Sequence, residues 1–249
     1  MSLPDNATAL VTGGARRIGA HIVESLCRAG WTVWFTYYQS RQDAEALCHR
    51  LHLNGGACHA VYADLSQPNA VERVITAMGS IPHLAIHSAS FWGTDTWSSA
   101  NGDDWERSRR LHVWPFLALA RQLDTASTPG EPRHLIAVTD ARIGDRDSTH
   151  FSYSQAKQEL GRLARTLAFE LAPRVRVNAV APGLILAPTT PPPQSWIDAG
   201  KISTPLQTTG ALEDLLRGLH YLIDSPFVTG QVLWIDGGRH LRRNTNEND

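Results

Sequence analysis

Short, nearly continuous apolar runs alternate along the chain with longer segments that repeat leucine and alanine at helical spacing. The runs are residues 7–12, 32–36, 57–62, 84–87, 134–139, 175–180 and 231–235. The helical segments are residues 18–29, 42–53, 68–78, 103–123, 152–171 and 211–223. Strands that are apolar on both faces are typical of parallel sheets covered on both sides. The alternation therefore predicts an α/β fold, a doubly wound parallel sheet of seven strands with helices on both faces.

Composition and charge narrow the functional class. The 249 residues are 42% hydrophobic and 19% charged, and the formal net charge is −1. We expect one domain over residues 1–241 with a polar tail over 242–249, and neither nucleic acid nor membrane as a partner. The three cysteines, Cys27, Cys48 and Cys58, have no metal-ligand spacing, which favours reduced thiols and no metal. With no apparent signal peptide or long apolar span, we expect a cytoplasmic protein.

Prolines crowd into residues 187–207, at Pro188, Pro191, Pro192, Pro193 and Pro205. Proline removes a backbone donor and interrupts helices, so the sequence predicts a long loop without a regular helix. Such a loop beside an open sheet often covers a substrate, although proline-rich linkers are also common. We interpret it as a substrate loop.

A glycine-rich turn follows the first predicted strand, as Thr-Gly-Gly-Ala-Arg-Arg-Ile-Gly over residues 12–19. Small residues let the backbone approach a pyrophosphate, and the following helix start supplies free N–H groups. A glycine cluster alone also occurs at ordinary turns, but its place between strand and helix favours dinucleotide binding. The predicted contacts are Gly13, Arg16, Arg17, Ile18 and Gly19.

The end of the second strand favours NADP(H) over NAD(H). An NAD site usually carries an acidic residue there, whereas this chain has Ser40 and Arg41 and no acid before Asp43. Arginine suits a phosphate because its guanidinium donates two parallel hydrogen bonds. Arg41 alone could be an exposed residue at a helix start. Asp64, with Leu65 after it, suits an adenine contact or a simple turn equally well.

Tyr153 and Lys157 are four residues apart on a predicted helix and therefore share a face. An ammonium near a phenol lowers the phenol's pKa, which would make Tyr153 a usable proton donor or acceptor near neutral pH. The pair occurs by chance on many helices. Asp140 ends the fifth predicted strand, where open α/β sheets bind ligands, so we expect it to face Tyr153, although a strand-end Asp can also cap a loop.

Together these motifs resemble the short-chain dehydrogenase/reductase family from about residue 7 to residue 241, with a Rossmann-type fold. Further matching motifs are Asn-Ala-Val-Ala-Pro-Gly at residues 178–183, Thr-Gly-Gln at 229–231 and Asp-Gly-Gly at 236–238. The resemblance implies cofactor contacts at Ser88, Ala89, Ser90, Pro182 and Gly183, and also at Tyr153 and Lys157. It implies a catalytic set of Tyr153, Lys157 and Asp140.

Four positions depart from the family pattern. Arg17 replaces a loop glycine, Asp140 stands for the usual serine, Ser88-Ala89-Ser90 replaces Asn-Ala-Gly, and His112 stands for an asparagine that usually helps a proton relay. The first three resemble pteridine reductases and dihydromonapterin or dihydrofolate reductases. That resemblance implies substrate contacts at Arg17, Ser90, Phe91, Trp92, Asp140 and Tyr153, with Phe91 or Trp92 stacking on a pterin. Either aromatic also suits a core or an interface.

The resemblance implies an NADPH-dependent reductase of a dihydropterin or dihydrofolate. One alternative is a reductase of a 3-ketoacyl group or small ketone, against which Asp140 argues. Another is a non-catalytic NADP(H)-binding regulatory protein, against which the Tyr153–Lys157 pair argues. Family members are commonly tetramers that pair through the helices at residues 103–123 and 152–171, so a homotetramer is expected.

Overall fold

Seven parallel strands form one sheet in the computed structural model, which describes residues 6–127, 131–144 and 149–241. The sheet order is β3-β2-β1-β4-β5-β6-β7. The strands are β1 Thr8–Thr12, β2 Thr32–Tyr37, β3 Cys58–Tyr62, β4 Leu84–His87, β5 Arg133–Val138, β6 Val175–Pro182 and β7 Val232–Ile235. The predicted doubly wound sheet is confirmed. The polar tail expected at residues 242–249 lies outside the described residues.

Eight α-helices connect the strands of the described chain. They are α1 Arg17–Arg28, α2 Arg41–Leu53, α3 Ala70–Met78, α4 Gly102–His112, α5 Trp114–Ala126, α6 Phe151–Leu171, α7 Gln194–Ser203 and α8 Leu212–Asp224. Helices α1, α2 and α8 pack on one face of the sheet, and α3, α5 and α6 pack on the other. Neighbouring residues of β1 enter opposite cores: Val11 joins the first and Leu10 the second. The central strands are therefore apolar on both sides, as the sequence pattern required.

The segment expected to form one helix over residues 103–123 is divided into α4 and α5, so that prediction was wrong. The break falls at Val113, and Pro115 lies in the first turn of α5. Proline has no N–H to continue the helical ladder and its ring clashes with the carbonyl one turn earlier, whereas the first turn of a helix needs no such donor. Pro115 therefore suits the start of a new helix.

The proline-rich segment at residues 187–207 contains helix α7, which corrects the expectation of a loop without regular helix. Pro193 is the N-cap residue of α7, and no proline occurs again until Pro205. The intervening residues keep all their backbone donors, so a helix of ten residues forms between the two prolines.

β1 and β4 are neighbours in the sheet although they are far apart in sequence. The chain winds outward in opposite directions from this pair, so the connections after β1 and β4 leave a crevice at the carboxyl edge of the sheet. The predicted site residues on the turns after β1, β4, β5 and β6 all lie at this edge.

Candidate active site

The turn between β1 and α1 brings the backbone close to the end of β4. Gly13 has φ +66°, and a Cβ there would lie 2.7 Å from Cα of Ala89. A side chain at Gly19 would collide with the Gly13 carbonyl. Ser88 and Ala89 each donate a backbone N–H to Oγ1 of Thr12 at 3.1 Å, which fixes the β4 turn against the β1 turn.

This turn has the chemistry that a pyrophosphate requires. The first N–H groups of α1 have no acceptor within the helix, as at any helix start. Arg16, the N-cap residue, makes no side-chain cap hydrogen bond, and the first turn of α1 carries no acidic residue. The glycines let this turn pack closely against the neighbouring backbone, and the helix start attracts the charge of a phosphate. The residues present therefore fit a dinucleotide.

Arg17 occupies the position where the family pattern has glycine. Its φ of +51° lies in the left-handed region, which disfavours side chains by roughly 1–2 kcal/mol. Its guanidinium Nη2 donates to the carbonyl oxygen of Leu186, 3.3 Å away in the segment after β6. The side chain thus links the predicted phosphate turn to the predicted substrate loop, at the cost of local strain.

Replacing Arg17 with glycine should relieve the strain and remove the cation. We expect the KM values for NADP(H) and for the substrate, which the sequence predicts to be a pterin, to rise roughly 10- to 100-fold. This is the effect of losing a hydrogen bond from a charged donor. The free energy of unfolding should change by less than about 1 kcal/mol. Steady-state kinetics and thermal melting measure both. Unchanged KM values would show that Arg17 touches neither ligand.

The predicted 2′-phosphate region has two exposed guanidinium groups beside the start of α2. Arg41 is the first residue of α2, Ser40 is its N-cap residue, and the Ser40 side chain makes no cap hydrogen bond. Arg16 lies 3.0 Å from the carboxylate of Asp43. Arg41 likewise lies 3.6 Å from the carboxylate of Glu45. Both guanidinium groups would therefore exchange an exposed carboxylate partner for a bound phosphate.

Asp64 is fully occupied in a turn. Oδ1 accepts from the backbone N–H of Ser66 at 3.0 Å and from its hydroxyl at 2.6 Å, and Oδ2 accepts from Gln67 at 3.1 Å. The sequence suited either an adenine contact or a simple turn for Asp64, and these hydrogen bonds are those of the turn. The adenine contact stays a prediction, as does that of Leu65, which is buried.

Tyr153 and Asp140 meet at the carboxyl edge of the sheet. The phenol of Tyr153 donates to Oδ2 of Asp140 at 2.8 Å. Oδ1 of the same carboxylate accepts the backbone N–H of Arg142 at 2.8 Å, which fixes its orientation. Asp140 follows β5 and Tyr153 lies in the first turn of α6, so two distant parts of the sequence supply the pair.

The expectation that Lys157 lowers the pKa of Tyr153 was wrong for this structure. Burial raises the pKa of Tyr153 well above its ordinary value, and the adjacent Asp140 carboxylate raises it further. Nζ of Lys157 lies 5.7 Å from the centre of the phenol ring and donates instead to the carbonyl oxygen of Val138 at 2.9 Å. The phenol therefore keeps its proton through the neutral range and can serve as a proton donor.

Lys157 is almost completely buried, and burial lowers the pKa of its ammonium to about 8. Asp140 opposes that shift as the nearby negative charge. The lysine is therefore protonated at neutral pH but close to titration. A buried ammonium with a single backbone acceptor among the described residues is costly for stability, which indicates that its position serves a ligand.

The two aromatic side chains after β4 have different surroundings. Trp92 is half-exposed and its ring centre lies 4.7 Å from that of Tyr153. Phe91 instead stacks on His112 at 5.6 Å, with the Arg107 guanidinium 4.8 Å from its ring centre. Trp92 is therefore the aromatic beside the phenol, and Phe91 supports the imidazole of His112.

The sequence analysis missed two residues beside Trp92. The guanidinium of Arg142 lies 4.5 Å from the Trp92 ring centre, and the ring of His150 lies 4.1 Å from it. Arg142 belongs to a short turn after Asp140, and His150 is the N-cap residue of α6. Arg142 closely follows Asp140 in the sequence, and His150 closely precedes Tyr153. This proximity to predicted site residues was the signal that could have identified both.

Asp95 was also missed, and it joins the Trp92 segment to the catalytic helix. Its carboxylate accepts the backbone N–H of Ser152 at 3.1 Å, and its carbonyl accepts that of Phe151 at 3.1 Å. These are N–H groups of the first turn of α6, which have no acceptor within the helix. Asp95 therefore anchors the start of the helix that carries Tyr153.

β6 ends at Pro182, and Gly183 follows it at the carboxyl edge of the sheet. A Cβ at Gly183 would lie 2.7 Å from Cα of Asp236, so this glycine permits the strand end to pack against the turn after β7. The carboxylate of Asp236 holds that turn by accepting from Gly238 at 2.9 Å and from the backbone of His240 at 2.8 Å.

Within the described ranges, no group of three or more His, Cys, Asp or Glu side chains is arranged to hold a metal ion. None of the helices in those ranges is long and apolar enough to cross a membrane.

Comparison with known proteins places this geometry among reductases. A family model described as enoyl-(acyl carrier protein) reductase matches residues 13–240. A dihydromonapterin reductase of Citrobacter koseri is 30% identical and covers 94% of this chain and 96% of its own length. A rhamnolipid-biosynthesis 3-oxoacyl-(acyl-carrier-protein) reductase of Pseudomonas aeruginosa is 31% identical, with the same two coverages of 94% and 96%.

Among solved structures, the FolM alternative dihydrofolate reductase 1 of Brucella canis, complexed with NADP, is 32% identical to this chain. The two structures superimpose with a TM-score of 0.87 over 97% of each chain. The similarity therefore extends over nearly the full length of both chains.

Proposed function

This chain belongs to the short-chain dehydrogenase/reductase family, and from that premise we propose that it is an NADPH-dependent reductase of a dihydropterin- or dihydrofolate-type substrate. The observation that carries the proposal is the hydrogen bond from Tyr153 to Asp140, with Trp92 against the phenol ring. A family member that reduces a simple carbonyl has serine in place of this carboxylate.

NADP(H) is the cofactor. When bound, it supplies the hydride for reduction of a C=N bond. On this chain the Gly13–Gly19 turn and the first N–H groups of α1 would hold its phosphates. Ser40, Arg41 and Arg16 would hold the additional 2′-phosphate, and Lys157 would donate to the nicotinamide ribose. The structure of the NADP complex of the Brucella canis relative supports this choice.

Tyr153 supplies the proton. Because its pKa is raised, the phenol is protonated at neutral pH and acts as an acid rather than a base. Loss of its proton to the substrate would leave a phenolate 2.8 Å from a carboxylate, which is strongly unfavourable. Asp140 is partly exposed, so it can take up a proton from solvent and pass it to Tyr153, which removes that repulsion. The relay therefore runs from solvent to Asp140, from Asp140 to Tyr153, and from Tyr153 to the substrate nitrogen.

The site suits a flat, polar substrate. Trp92 presents an exposed aromatic surface beside the proton donor, and Arg17 and Ser90 are exposed polar groups on the adjoining turns. A pterin ring combines an aromatic face with a hydrogen-bonding edge, so it can use both kinds of contact.

The second candidate function is reduction of a 3-oxoacyl group, which the Pseudomonas aeruginosa relative favours. The carboxylate of Asp140 argues against it, because a negative charge opposes the oxyanion that forms on a reduced carbonyl.

The proposal is tested by following NADPH oxidation with dihydrobiopterin, dihydrofolate and an acetoacetyl thioester, with NADH as the matched control cofactor. We expect turnover of at least one dihydropterin or dihydrofolate and at least tenfold higher kcat/KM with NADPH than with NADH, because one charged hydrogen bond is worth roughly tenfold. Turnover of the thioester alone would overturn the substrate assignment.

We further propose that the protein is cytoplasmic and forms a homotetramer. Three large aromatic side chains support association: Trp105 on α4, Trp114 on α5 and Phe169 on α6 are all exposed. These helices are the ones through which family members commonly pair, and exposed aromatic side chains favour such contacts. Light scattering of the purified protein measures the assembly.

A further inference from the structure

The imidazole of His112 lies between two oxygen atoms at the end of α4. Nδ1 is 2.8 Å from the carbonyl oxygen of Ser108, and Nε2 is 3.0 Å from Oγ of Ser90. A carbonyl oxygen only accepts hydrogen bonds, so Nδ1 must carry the ring proton. In a neutral ring Nε2 is then an acceptor, and the hydroxyl of Ser90 donates to it.

The surroundings hold the ring in this state. Burial lowers the pKa of His112 well below its ordinary value, and the nearby Lys157 and His87 lower it further, so the ring is neutral. Phe91 stacks on the ring, and Tyr153 meets it edge-on with 5.4 Å between ring centres. The ring therefore has little freedom to turn over and exchange its two nitrogen atoms.

The backbone of His112 is fixed as well. Its carbonyl oxygen accepts from Nε2 of His87 at 3.1 Å, and Nδ1 of His87 lies 2.8 Å from Oγ1 of Thr12. That hydroxyl already accepts the N–H groups of Ser88 and Ala89, so its own proton goes to His87. A continuous network therefore ties His112 to the turn that carries Ser90.

The hydroxyl of Ser90 has one proton, and His112 takes it. Ser90 is exposed at the edge of the site, so its free lone pairs are available to a bound molecule. We propose that His112 is a positioning residue that makes Ser90 a hydrogen-bond acceptor, so that the site selects substrates presenting an N–H or amino donor at this edge. For its substrate class this inference rests on the proposed function.

The role of Ser90 as a hydrogen-bond acceptor distinguishes the two candidate substrates. A dihydropterin carries an amino group and ring N–H groups along its edge, which an acceptor can bind. The β-keto group of a 3-oxoacyl chain offers only acceptor oxygen, which would face the lone pairs of Ser90. A site built to accept a hydrogen bond disfavours a ligand without a donor, because such a ligand would displace water from Ser90 and leave its acceptor oxygen unpaired.

The tautomer can be measured without any substrate. In ¹⁵N-labelled protein, long-range NMR correlations of the histidine rings distinguish a protonated Nδ1 from a protonated Nε2, and the His112→Gln variant assigns the signal. We expect a neutral ring with the proton on Nδ1 at pH 7. A proton on Nε2, or a charged ring, would overturn the inference even if the enzyme reduces pterins.

The effect on selectivity is measured with a double-mutant cycle on Ser90→Ala and His112→Leu, using dihydrobiopterin at saturating NADPH. Each single variant should raise the KM for dihydrobiopterin roughly five- to tenfold, the value of one neutral hydrogen bond, and the double variant should be no worse. The Kd for NADPH should not change for His112→Leu, because His112 is not among the expected cofactor contacts. His112→Gln, which keeps an acceptor oxygen, should restore most of the wild-type KM.

Other outcomes overturn the inference. Additive effects in the double variant would show that the two residues act separately. A fall in kcat of Ser90→Ala without a change in KM would show that Ser90 acts on the proton donor Tyr153 and not on the substrate. If His112→Leu does not fold, the comparison of His112→Gln with Ser90→Ala and the NMR experiment still decide the question. Failure of the wild-type enzyme to reduce any dihydropterin would instead overturn the proposed function.

Discussion

Replacing Tyr153 with phenylalanine is expected to lower kcat for the dihydropterin by about 10²- to 10⁴-fold, the contribution of a positioned proton donor. The ring that packs against Trp92 and His112 is retained, so the fold and the site's shape should persist. The Kd for NADPH, measured by fluorescence titration, should stay within a factor of about two, since only the hydroxyl is lost.

Tyr221 provides the matched control because it is half-exposed on α8, a helix that carries none of the predicted site residues. Tyr221→Phe should have wild-type kinetics. If Tyr153→Phe retained full turnover, the proton would have to come from another group, and the assignment of Tyr153 and Asp140 would be wrong.

Replacing Lys157 with methionine is expected to make the protein more stable and much less active. The folded-state pKa of about 8 lies below the ordinary value of 10.5. Between these two pH values the unfolded chain binds more protons, so stability rises with pH across that window. Below pH 8 the buried ammonium costs roughly 3 kcal/mol, which the substitution removes.

The net gain at pH 7 should be about 1–2 kcal/mol, because methionine leaves the Val138 carbonyl without its donor. Urea unfolding at pH 7 and pH 9.5 measures it, and the difference between variant and wild type should shrink at the higher pH. The chain's other lysine, Lys201, is exposed on α7, so Lys201→Met is the control and should show neither effect. The kcat/KM for NADPH should fall roughly 10- to 100-fold, the effect of losing a hydrogen bond from a charged donor. A destabilised Lys157→Met variant would contradict the argument from burial.

The sheet was predictable because its strands are apolar runs of the right length, and the sequence order of strands and helices determines the parallel winding. The errors concerned the effect of proline on predicted helices, which depends on where the proline lies relative to the helix. Pro115 divided an otherwise continuous helical pattern into α4 and α5. The prolines before residue 194 did not prevent α7, because they lie outside it.

The contact between Tyr153 and Asp140 could be expected from their positions in the sequence. Asp140 follows β5 and Tyr153 lies in the first turn of α6, so both were expected at the carboxyl edge of the sheet. The pKa of Tyr153 could not, because it depends on burial and on which acceptor Lys157 finds, and neither is visible in sequence. The bond from Ser90 to His112 was equally hidden: the sequence marked His112 as unusual but did not give its partner.

The anchoring of α6 by Asp95 has a consequence for engineering this enzyme. The segment that presents Trp92 to a ligand also holds the first turn of the helix that carries the proton donor. Changes that reshape this segment to accept a different molecule will therefore also shift the phenol, so new selectivity and rate will trade against each other. Libraries that vary Trp92 while keeping Asp95 should yield more active variants than libraries that vary both.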